Sequence, residues 1–280
     1  MNYFKNRNER AHQARKHTRF IDDHASDLVK YSVEHSCIYR ANDLNSVEKS
    51  KTQTEFKILF SDKKHDEILL DPRPDCYIQK ALDAGKRICV QNYASYKDPG
   101  GLFFFGSSAQ EESLCHCSGL YNILSEFEES FYEANERVLN KGLYTNAAIY
   151  SPDVPFMANE DMSTLRKIDV LTCAAPNAGM MYRYKAFTDK ENSDALRSRI
   201  EYIAKILEFH EVDIFISGSF GCGVFKQKPD VVAAMMMKAL GSYGKYPREV
   251  VFAIPDEYNR TRFFDMVTLQ LSKRNSKEDD

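Results

Sequence analysis

"RICVQNYASYKDPGGLFFFGSSAQEESL", residues 87–114, runs from an unbroken apolar stretch into a glycine-rich loop and leaves it through Gln110, Glu111 and Glu112, where a helix starts. A short apolar run bounded by turn signals reads as a buried strand, and loops at the carboxyl ends of such strands are where an open α/β sheet presents its ligand site. Outward from this stretch the alternation repeats. On the amino-terminal side, "FKILF" (56–60) and "EILLD" (67–71) predict strands or a hairpin, and "CYIQKALDAG" (76–85) a helix ending at Gly85. On the other side a long helix is expected, with Leu120, Leu124, Phe127 and Phe131 recurring along one apolar face. "TNAAIYSP" (145–152), "IDVLTCAAPN" (168–177), "VDIFISGSF" (212–220) and "REVVFAIPD" (248–256) predict four more strands, with "DALRSRIEYIAKILEFH" (194–210) and "PDVVAAMMMKALGSYG" (229–244) as helices. Strands alternating with helices give an α/β fold whose sheet is covered on both faces.

The first 50 residues read as one or two polar helices, a packed extension with a thin stripe of Phe20, Leu28 and Val33. One domain then spans 51–272, and the polar end, 273–280, is expected to be a disordered tail. With 280 residues the chain can bury a sizeable core, and its 43% apolar content fits a globular protein. A net charge of −3 argues against general nucleic-acid binding, which calls for a basic stripe. No run approaches a membrane span, and residues 1–20 are too charged for a secretory leader. The seven scattered cysteines then read as reduced thiols of a cytoplasmic protein. Cys115-His116-Cys117 lacks the paired spacing of a zinc site, so no metal is expected. The histidines at 12, 17, 24 and 35 have no ligand-spaced partners and read as solvated.

A second glycine cluster, "SGSFGCGVF" (217–225), follows the strand at 212–216. Glycines at such places let backbone N–H groups approach an anion, and two such loops, 99–106 and 218–223, could grip a diphosphate. The second loop reverses the dinucleotide-binding glycine order, and no Gly-Lys-Ser/Thr follows it, which excludes the Rossmann and P-loop motifs. Phe225 is a candidate stacking platform for a purine, with core filling as the competing reading, and at least one of Phe103, Phe104 and Phe105 is expected to be packed. Glu111 and Glu112 leave two readings open: catalytic carboxylates, or charges that favour the first turn of a helix. Being adjacent, they cannot both face one substrate atom from a regular helix.

"NYASYKDPGGLFFFGSSAQEESLCHCSGLYNIL" (92–124), with "IYSPDVPF", "LTCAAPN" and "GSFGCGVF" in order after it, resembles the bacterial-type poly(ADP-ribose) glycohydrolases, a branch of the macrodomain fold. In that family a triple glycine precedes Gln-Glu-Glu by seven residues; here Gly100, Gly101 and Leu102 stand seven residues before Gln110, Glu111 and Glu112. The resemblance implies a three-layer α/β/α domain with a mixed central sheet and an ADP-ribose cleft between the glycine loops. It makes Glu112 the catalytic glutamate, Glu111 the one that helps hold the distal ribose, and Gln110 a support. Asn92, Gly100, Gly101 and Leu102 fall among the ligand contacts, Gly221, Cys222, Gly223 and Val224 in the diphosphate loop, and Phe225 beside the adenine. Leu102 departs from the third glycine, adding bulk and disfavouring positive φ. The implied activity is hydrolysis at the distal ribose of poly(ADP-ribose), releasing ADP-ribose, without cofactor. The implied partner is protein-attached ADP-ribose or its polymer, and the implied enzyme is a monomer. Two alternatives remain: removal of mono-ADP-ribose from protein or nucleic-acid acceptors, and a non-catalytic ADP-ribose reader.

Overall fold

The structure, a computed structural model, describes residues 6–52, 54–157 and 165–278, with side chains up to 273. In chain order the elements are α1 (Arg7–His24), α2 (Ser26–His35), β1 (Cys37–Arg40), β2 (Lys57–Ser61), α3 (His65–Leu69), α4 (Tyr77–Asp83) and β3 (Ile88–Tyr93). Next come α5 (Gln110–Cys115), α6 (Leu120–Ser125), the short α7 (Ala134–Glu136), β4 (Ala147–Met157) and β5 (Leu165–Cys173). The chain ends with α8 (Ala178–Tyr184), α9 (Asp189–Phe209), β6 (Ile214–Ser217), α10 (Pro229–Leu240), β7 (Glu249–Ala253) and α11 (Glu257–Glu278). A 3-10 turn covers Phe103–Phe105 and a π-helical turn Glu128–Glu133.

Contacts gather the chain into two compact units. The first comprises Met1–Arg40, His65–Val138 and Ala147–Ala174. Its strands run β1-β4-β5-β3, antiparallel from β1 to β5 and parallel between β5 and β3, with Cys89 opposite Asp169. The sheet is therefore mixed, as expected. The register of β4 on β5 shifts between Ser151 and Val154, where Pro152 lacks an N–H and Asp153 has φ 53°. All but the last residue of β3 are buried, the pattern of a strand covered on both faces.

The second unit comprises Ala41–Lys64, Leu139–Asn146 and Ala175–Asp280, with β6, β7 and β2 side by side and parallel. Helix α9 starts on a capping box, in which the Thr188 side chain accepts from the Glu191 N–H while Glu191 reaches back to the Thr188 N–H. Helix α10 starts with Pro229 at its first position, where no N–H is required. Buried Arg199 donates to Asn146 Oδ1 at 2.9 Å and ties α9 to the segment before β4.

Several expectations change. "EILLD" lies largely in helix α3 and is no strand: Asp66 and Glu67 favour the first turn, and Leu69 and Leu70 bury at its end. The long helix after residue 109 is interrupted, because Gly119 N–H donates to the Pro155 carbonyl and the Met157 N–H to that of Cys117, drawing 117–119 onto β4. The extension is helical only to His35; Cys37–Arg40 then joins the sheet as β1. The buried apolar residues of its two helices and the turn between them are Ala14, Ile21 and Ala25, with Phe20 and Leu28 only partly covered. His17 is not simply solvated, since its Nε2 sits 2.9 Å from the Ser118 carbonyl. The expected tail is helical as far as Glu278, where Lys, Arg, Ser and Glu without Pro or Gly continue α11; residues 279 and 280 lie outside the described residues. Among the described residues no helix is long and apolar enough to cross a membrane.

Candidate active site

In the first unit the site grows from the carboxyl end of β3. Gln110, opening α5, turns its amide back onto that strand: Oε1 accepts from the Tyr93 N–H at 2.8 Å and Nε2 donates to the Gln91 carbonyl at 2.7 Å. Both ends of the amide bind backbone, so Gln110 fixes where the helix begins. The next two residues carry the carboxylates, both buried.

Glu111 is held on both oxygens. Asn92 Nδ2 donates to Oε1 at 3.1 Å, and the Ser95 N–H donates to Oε2 at 2.7 Å. Ser95 in turn bonds Asp98 Oδ2 through its hydroxyl and accepts from the Asp98 N–H, forming the turn that delivers the chain to Gly100. Burial pushes the Glu111 carboxyl up to about 8; the charges of Glu112 and Asp98 add to this, and the bonds from Ser95 and Asn92 oppose it. Glu112 Oε1 accepts the Leu102 N–H at 3.0 Å, while its buried Oε2 has no hydrogen-bond partner among the described residues.

Gly100 and Gly101 have φ of 67° and 61°, the left-handed region open to glycine. A Cβ on Gly101 would lie 2.9 Å from both Glu111 Oε2 and Glu112 Oε1, so the loop backbone passes directly over the two carboxyls. The loop wraps across the first turn of α5, and its backbone at Gly101 meets both carboxyls. Leu102 has φ −100°, which any residue adopts, so replacing the third glycine strains nothing; the side chain is 48% exposed. Of the three phenylalanines, Phe103 is buried against His116 and Tyr121, Phe104 packs edge-on to Tyr121, and Phe105 is exposed.

In the second unit the loop after β6 turns at Gly221, φ 74°, whose absent Cβ would stand 2.6 Å from Ala175 Cβ. Gln227 fixes the loop, donating its N–H to the Gly221 carbonyl at 3.0 Å and its Nε2 to that of Pro176 at 2.8 Å. Cys222 is half-buried, and burial pushes its thiol up to about 12. Gly223 has open space where a Cβ would be, and Val224 is exposed. Phe225 is half-buried, its ring 6.1 Å from that of Tyr144.

Sequence reading passed over Ser95, Asp98 and Tyr132. The Ser-x-x-Asp spacing before Pro99-Gly100 was the available signal for the first two. Nothing local marks Tyr132, a buried phenol in the π-helical turn whose hydroxyl has no hydrogen-bond partner among the described residues. Among those residues no group of three or more His, Cys, Asp or Glu could hold a metal ion.

The family described as microbial-type PARG, catalytic domain, matches residues 8–159. The match begins inside α1 and runs past the end of α2 into the strands that follow. Poly(ADP-ribose) glycohydrolase from Thermomonospora curvata is 25% identical with a TM-score of 0.78, over 93% of this chain and 100% of that one. The Thermomonospora curvata enzyme bound to the inhibitor ADP-HPD is also 25% identical, with a TM-score of 0.77 over 92% of this chain and 99% of that one. Poly(ADP-ribose) glycohydrolase from Deinococcus radiodurans in complex with ADP-ribose shares the fold at 24% identity, with a TM-score of 0.70 over 85% of this chain and 96% of that one. No curated protein matches the chain. These likenesses bear out the expected macrodomain-like α/β fold.

Proposed function

The chain belongs to the microbial-type poly(ADP-ribose) glycohydrolase family, and on that premise we propose that Glu112 is its general acid and base in hydrolysing the glycosidic bond at the distal ribose of poly(ADP-ribose). The observation that carries the assignment is the division of labour within one carboxyl. Oε1 is held by the Leu102 N–H, while the buried Oε2 has no hydrogen-bond partner among the described residues and is left for a reacting atom. A proton on Oε2 passes to the oxygen linking the distal ribose to the rest of the polymer as the bond from that oxygen to the anomeric carbon breaks. The electron pair leaves with the oxygen, and the ribose becomes an oxocarbenium ion, stabilised in part by the substrate's own diphosphate. Glu112, now a carboxylate, takes a proton from water as its oxygen bonds the anomeric carbon, and ADP-ribose is released.

Glu111 binds a ribose hydroxyl in this reading, and Asn92 and Ser95 orient it. Gly221, Cys222, Gly223 and Val224 hold the diphosphate through backbone N–H groups, and Phe225 stacks on the adenine. The polymer is protein-attached and the enzyme a cytoplasmic monomer; five buried free thiols among seven support a reducing compartment. Hydrolysis of mono-ADP-ribose from an acceptor is the second reading, favoured by the exposed Leu102 side chain beside Glu112, which reshapes the place where the leaving group departs.

Incubation with poly(ADP-ribose), mono-ADP-ribosylated protein and ADP-ribosylated DNA, followed by assay of free ADP-ribose, tests the reading. Release from the polymer is the expected result. Release from a mono-ADP-ribosylated substrate alone would transfer the assignment to the second reading. Tight ADP-ribose binding with no release from any substrate would make the protein a reader.

A further inference from the structure

We propose that Arg7 and Arg10 are positioning residues for Glu112, acting through the 3-10 turn at Phe103–Phe105, so that helix α1 is a splint for the catalytic loop; the proposal rests on the assignment of Glu112. The chain of contacts starts at the two guanidinium groups. Arg7 Nε donates to the Phe105 carbonyl and Arg10 Nε to the Gly106 carbonyl, each at 2.7 Å. These are charge-assisted bonds to consecutive carbonyls at the end of the turn.

From there the turn transmits the restraint. Gly106 N–H bonds the Phe103 carbonyl at 3.0 Å, and the N–H groups of Phe105 and Ser107 bond the Leu102 carbonyl at 3.0 and 3.2 Å. Leu102 is thus held by its carbonyl, and its N–H is the donor that orients Glu112 Oε1. A single peptide segment connects the arginines to the carboxyl.

The packing at Gly106 is independent support. Its φ is 71°, and a Cβ there would fall 1.9 Å from the Arg7 carbonyl oxygen and 3.1 Å from the Ala11 nitrogen. Those atoms are helix backbone and cannot swing aside, so helix and loop meet main chain to main chain. Beyond α5 the same helix is fastened again: His17 Nε2 lies 2.9 Å from the Ser118 carbonyl, and Asn122 Nδ2 donates to the Thr18 carbonyl at 3.2 Å and to Asp22 Oδ1 at 2.7 Å. Helix α1 therefore holds the chain on both sides of the six-residue helix carrying the glutamates. So short a helix has little rigidity of its own.

The test compares wild type with the double variants Arg7→Met/Arg10→Met and Arg7→Lys/Arg10→Lys, and with Gly106→Ala. Turnover of poly(ADP-ribose), KM, the folded fraction by circular dichroism and amide hydrogen exchange over residues 101–107 are measured on each. The expected result for the methionine pair is a kcat at least tenfold lower, corrected for folded fraction, with KM within threefold and exchange of the Leu102 amide at least tenfold faster. Lysine, which can still donate to a carbonyl, should restore kcat to within about threefold of wild type. Gly106→Ala should reproduce the methionine phenotype by forcing the loop off the helix. A methionine pair with kcat within twofold of wild type, or one whose lost activity only follows its folded fraction, overturns the proposal. A wild type inactive on every ADP-ribosyl substrate removes the functional reading instead, and unchanged exchange at Leu102 in the methionine pair would then overturn the splint on its own.

Discussion

Glu111→Gln should change how stability depends on pH, by an amount the structure sets. The carboxyl ordinarily titrates near 4.5 and is pushed up to about 8 in the fold, burial being the first cause. Below 4.5 the folded and unfolded chains both carry the proton, and nothing depends on it. Between 4.5 and 8 the unfolded chain has lost the proton while the folded chain keeps it, so wild-type stability falls as pH rises. Above 8 both are ionised and the loss is complete. At about 1.4 kcal/mol per pH unit the loss from this group is on the order of 4 to 5 kcal/mol. Glutamine removes the titration but adds a fixed cost: the Ser95 N–H and Asn92 Nδ2 both donate to this side chain, and an amide offers only one acceptor oxygen. An unsatisfied buried donor costs about 1–3 kcal/mol at every pH. The variant is therefore expected to be less stable than wild type at pH 5 and to match or exceed it by pH 9. Urea unfolding of both proteins at unit intervals from pH 5 to 9 decides the matter. Stability curves that stay parallel to within about 1 kcal/mol over that range would refute the burial argument for Glu111.

Glu112→Gln keeps an acceptor for the Leu102 N–H but places an amide nitrogen at Oε2, so turnover of poly(ADP-ribose) should fall by roughly two orders of magnitude or more while ADP-ribose affinity stays within about threefold; near-wild-type turnover would remove the assignment. Phe225→Ala should weaken ADP-ribose binding by about 1 kcal/mol or more, roughly fivefold, in calorimetry, and an unchanged affinity would return that ring to core filling. Leu102→Gly relieves no backbone strain, because φ is already −100°, and should cost up to about 1 kcal/mol of stability through chain entropy. Its functional effect should be on the relative rates with polymer and mono-ADP-ribosylated substrates. A large fall in kcat on all of them would mean that the leucine is needed for the loop itself.

Much of the fold was legible because the strands carry it in their own composition. "ICVQNY", "IFIS" and "EVVFA" are short apolar runs, and each is a strand, two of them buried at every position. "EILLD" misled for the reason that short apolar runs generally do: five apolar or acidic residues in a row carry no period, and burial of Leu69 and Leu70 is equally served by the end of a helix. The break after Cys117 had no local signal, since its cause is the bridge between Ser118 and Phe156, thirty-eight residues apart in sequence. The glutamate pair was legible by motif, but its geometry was not. A regular helix separates adjacent side chains, and only the path of the loop, set by two left-handed glycines, brings both carboxyls to Gly101.

That path also explains how the loop can tolerate a leucine where its relatives' pattern has glycine. What Glu112 needs from position 102 is an N–H pointing at Oε1, and every residue except proline supplies one. What the turn needs is left-handed backbone, and Gly100 and Gly101 already provide it before position 102 is reached. The next left-handed residue is Gly106, pressed against α1. Between those points the chain runs through ordinary φ values, so the side chain at 102 is free of the constraints that fix its backbone. Catalytic orientation and side-chain identity are thereby separated within one residue: the main chain of Leu102 holds the proposed acid, while its half-exposed side chain can vary with the acceptor. Selection on the leaving group can then act at this position without disturbing the carboxyl, which is why Leu102 is the place to look for a change of substrate rather than a loss of activity.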